Sequence, residues 1–183
     1  MIKKTLLSVS CLFLLACSEE PSSEATAADT SSNVTIKEFN APEGAPILTI
    51  SGAISQLNAE NSLLLDRSAL LAFEQHEVKT TTIWTDGVST FSGPLVRDVL
   101  KAAGNSASKI SAVAINEYNI DIPVADTHNY SVIFALNKDG KPLSVREKGP
   151  IWVIYPWSSD EKLRQDKYYG RSIWQLNRIN LHD

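Results

Sequence analysis

The sequence predicts an α+β fold: a single domain with mixed β-sheets and short helices. Two observations lead there. Short apolar runs rich in β-branched residues recur between Ile47 and Leu181, separated by turn pairs such as Asp139-Gly140. Only one segment, residues 94–103, carries a clear helical stripe. Strands therefore dominate and helices are short, which is the pattern of an α+β chain. No internal repeat is present.

Taken in order, the chain begins as an export signal. Lys3 and Lys4 form a positive start, and residues 6–15 are mostly apolar. That run is too short for a bilayer span, which needs about 20 apolar residues. It ends in Leu14-Leu15-Ala16-Cys17, which is similar to the lipobox of bacterial lipoproteins. The expectation is a signal peptide over residues 1–16 and a lipid on the Cys17 sulfur, against the alternative of an ordinary secretory signal. Ser18 follows the cysteine rather than an aspartate, which by analogy favours the outer membrane. Residues 17–36 then carry the lipid and a flexible tether, rich in Ser, Ala, Thr and Glu. Residues 37–183 form the domain, long enough for one real core.

Cys11 and Cys17 are the only cysteines, so the domain itself has no thiol, disulfide or thiolate ligand. The whole chain carries a formal charge of −4, and losing Lys3 and Lys4 leaves it more acidic. An acidic domain without a basic stripe does not suit nucleic acid.

Within the domain, Ile47 to Ile54 reads as a strand that ends at Gly52. Asp66 is the N-cap of a short helix over residues 68–74. Residues 78–84 are β-branched and form a strand, with Asp86-Gly87 as the turn after it. The clear helix spans residues 94–103, with Pro94 at its first position and Gly104 just past its end. Leu95, Val96, Val99, Leu100 and Ala103 make its apolar stripe. Further strands are predicted at 110–115, at 118–122 by alternation, at 132–136, and at 151–155, apolar throughout. Asp139-Gly140 is a hairpin turn. Residues 173–181 close the chain as a strand whose alternation slips near Asn177, which marks a bulge.

The ordered motifs resemble a known family. Thr81-Thr82-Ile83-Trp84, Phe91-Ser92-Gly93-Pro94-Leu95-Val96 with the helix to Gly104, and Asn119-Ile120-Asp121-Ile122-Pro123 look like the oxidoreductase molybdopterin-binding domain, the sulfite-oxidase fold. So do Asp139-Gly140-Lys141-Pro142-Leu143, the run from Gly149-Pro150 to Tyr155-Pro156, and Ser172-Ile173-Trp174-Gln175-Leu176. The series covers most of the chain from about Ile47 on. The catalytic family ligates molybdenum through a cysteine at the end of the strand before the Gly-Pro helix. Here that neighbourhood is Ile83-Trp84-Thr85-Asp86, and an indole does not replace a soft thiolate. The resemblance then points to the small stand-alone periplasmic members, which bind pterins without molybdenum. It implies a ligand-responsive partner of a membrane protein of the diguanylate cyclase or phosphodiesterase type, and a part in biofilm formation. The alternatives are a molybdopterin-dependent oxidoreductase and an envelope protein that uses the fold for interaction alone.

A pterin is a flat bicycle with a donor edge, so its site needs a π-face and an acceptor. Trp84 and Asp86 offer both within three residues; the alternative is a core indole and a turn carboxylate. Trp157 follows Pro156 at the exit of an apolar strand and lines a pocket rim or partner interface, or else packs under its loop. Arg171 lies where the resemblance puts a basic residue near the ligand, free to fork onto ring oxygens or an anionic tail; otherwise it makes a surface ion pair. Trp174 stacks or packs, and Trp152 reads as core. His76, His128 and His182 lack paired spacing, so no metal set is readable. Ser89 and Ser92 lie in no nucleophile elbow, and no phosphate-binding glycine loop is present.

Overall fold

The computed structural model describes residues 39–183. The expected signal peptide, the lipid site Cys17 and the tether through residue 36 lie outside the described residues.

In chain order the strands are β1 (Leu48–Gly52), β2 (Ser62–Leu65), β3 (Gln75–Thr82), β4 (Thr85–Pro94), β5 (Lys109–Ala114), β6 (Asn119–Pro123), β7 (Ile133–Ala135), β8 (Asn137–Lys138), β9 (Lys141–Pro142), β10 (Trp152–Ile154) and β11 (Leu176–His182). Four short helices intervene: α1 (Arg67–Leu71), α2 (Val96–Ala102), α3 (Val124–Asn129) and α4 (Asp166–Arg171). The class is α+β, as expected.

The largest sheet runs β2-β1-β11-β5-β6. Its first and last strands in sequence, β1 and β11, pair in parallel, with Ile50 beside Ile179. The other three pairings are antiparallel, so the sheet is mixed. Leu48 and Ile50 of β1, and Ile110, Ala112 and Ala114 of β5, are buried in alternation. That period of two lets one face of a strand reach the core. The register of β11 shifts between Leu176 and Arg178, which places the expected bulge at Asn177.

A second sheet runs β3-β4-β8-β9, and β7 pairs with β10. Every residue of β7 and β10 is buried, which explains their continuous apolar sequence. Leu136 donates its N–H to the Ser92 carbonyl at 2.8 Å, and Leu95 bridges Ile133, which docks β7 against the end of β4. Gly93 permits that approach: a Cβ there would lie 1.9 Å from the Phe134 carbonyl oxygen. The β8–β9 turn has Asp139 at φ 50° and Gly140 at φ 75°. Two successive left-handed residues are the type I′ turn expected of Asp-Gly.

The β3–β4 turn differs from expectation. It lies at Ile83-Trp84, because Thr82 pairs with Thr85. The two threonine hydroxyls hydrogen-bond at 2.8 Å, and the Trp84 N–H donates to Thr82 Oγ1 at 3.0 Å. Asp86-Gly87 is instead the surplus between the Thr82–Thr85 and Thr81–Val88 pairs. Gly87, at φ 67°, absorbs that bulge.

The helices follow their caps. Asp66 accepts from the Ala69 N–H at 2.8 Å, as its N-cap role requires. The helix stops at Leu71 rather than continuing to 74, since β3 starts at Gln75. Pro94 is the last residue of β4, Leu95 is the N-cap, and α2 begins at Val96. The Asn105 N–H bonds to the Leu100 carbonyl and the Gly104 N–H to Lys101, each at 3.0 Å. With Gly104 at φ 70° this is a Schellman close.

Candidate functional site

The turn that carries Trp84, the β5–β6 connection and the segment from α4 into β11 enclose a cavity of about 340 Å³. Trp84 lines it from the first, Asn116 and Tyr118 from the second. Tyr169, Ser172 and Trp174 contribute the third wall. Among the described residues the lining carries no charged side chain. Two indoles and two phenols therefore meet a few neutral hydrogen-bonding groups, the make-up of a site for a flat, largely apolar molecule.

Trp84 is half-buried and is the hub of an aromatic cluster. Its ring centroid lies 5.4 Å from Trp174, 5.9 Å from Trp152, 6.0 Å from Trp157 and 6.1 Å from Tyr169. The interplanar angles run from 60° to 89°. Edge-to-face packing of this kind is worth roughly 0.5–1.5 kcal/mol per pair beyond area burial. It fixes the indole while its turn remains at the surface. Trp174 is backed by Lys148, whose Nζ lies 4.3 Å from the ring centroid, a cation–π distance.

The rest of the lining follows from short local structures. Asn116 Oδ1 accepts the Tyr118 N–H at 3.2 Å and shapes the β5–β6 turn. Glu117, at φ 67°, forks onto Arg178. That hydrogen-bonded cation holds the Glu117 carboxyl below the usual carboxylate range. The Ser172 carbonyl accepts the Trp152 indole N–H at 3.0 Å, which ties the third wall to β10.

The expected site residues are distributed unevenly. Trp84 and Trp174 face the cavity together. Trp157 is 1% exposed and lies behind Trp84 and Tyr169, so it is neither a rim nor a free surface. Its buried indole N–H has no hydrogen-bond partner among the described residues. Asp86 is exposed on β4 and does not line the cavity, because the turn falls three residues earlier than expected. Arg171 is turned away as well: Nη1 lies 2.8 Å from Asp126 Oδ2. Asp126 also accepts the Tyr155 hydroxyl at 2.9 Å. Burial first, then the Asp126 charge, push the Tyr155 phenol far above its ordinary range, so it stays a neutral donor. Asn116, Tyr118, Tyr169 and Ser172 were not anticipated. Alternation alone makes Tyr118 the start of a strand, whereas the side chain is 50% exposed.

Among the described residues, no group of three or more His, Cys, Asp or Glu side chains could hold a metal ion. No helix among them is long and apolar enough to cross a membrane.

No family model matches the chain, and no curated protein does. Among solved structures, the chain is similar to the sulfane dehydrogenase SoxCD from Paracoccus pantotrophus, with a TM-score of 0.57 and 14% identity. The match covers 80% of this chain and 40% of that one, so this chain spans less than half the length of its structural neighbour. At that identity the likeness shows the fold alone: the α+β arrangement of mixed sheets and short helices that the motif series implied.

Proposed function

We propose that the chain is a periplasmic, lipid-anchored protein that binds a pterin without a metal and signals its occupancy to a membrane protein. The observation that carries this reading is the neutral cavity with Trp84 and Trp174 on its walls. Its volume of about 340 Å³ lies at the small end of ligand sites, which suits a bicycle rather than a dinucleotide. The indoles supply stacking faces, and the exposed Asn116 amide supplies a polar partner for the ring edge, whereas the buried Ser172 hydroxyl is donated to the Tyr168 carbonyl. Molybdenum does not fit this donor set. Among the described residues the lining has no thiolate, and the position that the resemblance gives to a cysteine falls at the Trp84 turn. No redox step is therefore assigned.

The partner is of the kind that makes or degrades cyclic di-GMP, as the resemblance implies. Ile83 and Ile115 are exposed on the same connections that line the cavity. A partner that binds there would meet a surface whose conformation depends on the ligand. Occupancy shifts such an equilibrium only if the ligand favours one state over the other.

The test is calorimetry of residues 37–183 with neopterin as the probe. Saturable one-to-one binding, weakened by Trp84→Ala and unaffected by Asp86→Asn, is the expected result. A folded wild-type domain that takes up no pterin would remove the reading. Elemental analysis adds a second check. Protein from cells that make molybdenum cofactor should hold far less than one molybdenum per chain, and a stoichiometric content would restore the oxidoreductase alternative.

A further inference from the structure

We infer that Asp126 is a positioning residue for the cavity: through Arg171 it holds the α4 wall in place, and Arg171 itself does not contact the ligand. The inference rests on the cavity being a binding site, and goes beyond which ligand fills it.

The third wall has two supports. Its later part is fixed to β10, through the Trp152 indole on the Ser172 carbonyl at 3.0 Å and the Val153 N–H on Ile173 at 2.9 Å. Its earlier part, Tyr169 and Gly170, belongs to α4, a six-residue helix without a side-chain N-cap bond. A helix that short does not persist by itself. Beside the ring contacts of Tyr169 with Trp84 and Trp157 and of Tyr168 with Tyr155, two side-chain hydrogen bonds among the described residues lead from it to α3 and its C-cap. Arg171 meets Asp126 at 2.8 Å, and the Tyr168 hydroxyl meets that of Tyr130, the C-cap of α3, at 3.2 Å.

Asp126 is 7% exposed and has two donors, Arg171 and Tyr155. A buried ion pair contributes little net stability, because desolvation offsets the attraction. What it does supply is direction, since one charge-assisted hydrogen bond of 2.8 Å holds Arg171 Nη1 on Asp126 Oδ2. Arg171 lies between Gly170 and Ser172, both lining residues, and points out of the cavity. The pair therefore sets how far Tyr169 stands from Trp84, now 6.1 Å between ring centroids.

The experiment uses Asp126→Asn, Arg171→Gln and their double variant, with two readouts well below the melting temperature. The first needs no ligand: amide hydrogen exchange over residues 166–171 should accelerate in every variant, while β11 stays protected. The second is the Kd for neopterin by tryptophan fluorescence. Each single variant should bind about ten-fold more weakly, and the double no more weakly than either. A merely structural pair would lower the melting temperature and leave both readouts unchanged, which overturns the inference. It is also overturned if Arg171→Gln alone weakens binding while Asp126→Asn does not, since Arg171 would then touch the ligand. If the wild type binds no neopterin, the functional reading fails, and the exchange readout decides by itself whether Asp126 positions α4. Should Asp126→Asn not fold, Arg171→Lys replaces it, with the same local deprotection expected and its absence decisive against.

Discussion

At the scale of single residues, aromatic side chains near the cavity divide by burial. Trp152 and Trp157 are sealed, whereas Trp84 and Trp174 keep part of their surface for the cavity. Trp84→Ala removes one stacking face and should cost about 1 kcal/mol of pterin binding, roughly five-fold in Kd. Calorimetry checks this, with a thermal melt to establish that the variant is folded, since Trp84 also packs against four other rings. Asp66 gives a different kind of prediction. The Ala69 N–H, the Ser68 hydroxyl and the Gly44 N–H hold its carboxyl at about 2, below the usual range. A carboxyl lowered on folding stabilises the fold above its unfolded pKa, near 3.9. That contribution fades as pH falls through the folded value. The gap in melting temperature between wild type and Asp66→Ala should be full at pH 7 and shrink from about pH 4 to pH 2. A gap that does not change with pH would mean that the charge of Asp66 contributes nothing.

At the scale of elements, short helices depend on their ends. The seven residues of α2 are closed by Gly104, and a Cβ there would lie 1.9 Å from Ser55 Oγ. The left-handed φ of 70° adds a backbone cost. Gly104→Ala should therefore destabilise by more than about 1 kcal/mol. Urea unfolding should show this as a lower midpoint at unchanged slope. The β3–β4 hairpin depends on a different device: Thr82 and Thr85 close its turn by their own hydroxyls, which leaves Trp84 beside the cavity.

At the scale of the whole molecule, the parallel pairing of β1 with β11 joins the start of the described core to its end. Long-range pairing of this kind carries the loop-closure entropy of the intervening chain, which slows folding. Attachment to a membrane is a separate matter, proposed from Cys17 in the Leu-Leu-Ala-Cys motif. Cys17→Ser should take up no labelled palmitate and should leave the membrane fraction. Undiminished labelling in that variant would overturn the lipoprotein assignment.

The sequence by itself determined the α+β class, most strands, the Asp66 cap, the Gly104 close, the Asp139-Gly140 turn and the bulge at Asn177. Each of these depends on local chemistry: a period of two, a side chain that satisfies a free N–H, or a residue that tolerates positive φ. It did not disclose α3 and α4, since helices of six residues are too short to repeat an apolar pattern. Nor did it place the β3–β4 turn, because Asp-Gly is a turn signal that a bulge also uses. The site was half legible for the same reason. Trp84 and Trp174 stood out by residue type, but whether a side chain faces a cavity is a property of what lies opposite. Only the tertiary structure brought Tyr118 from the β5–β6 connection to line one cavity with Tyr169, and turned Arg171 onto a buried Asp126 that lies 45 residues earlier in the chain. Those contacts join segments far apart in sequence, and packing of the sheets decides them.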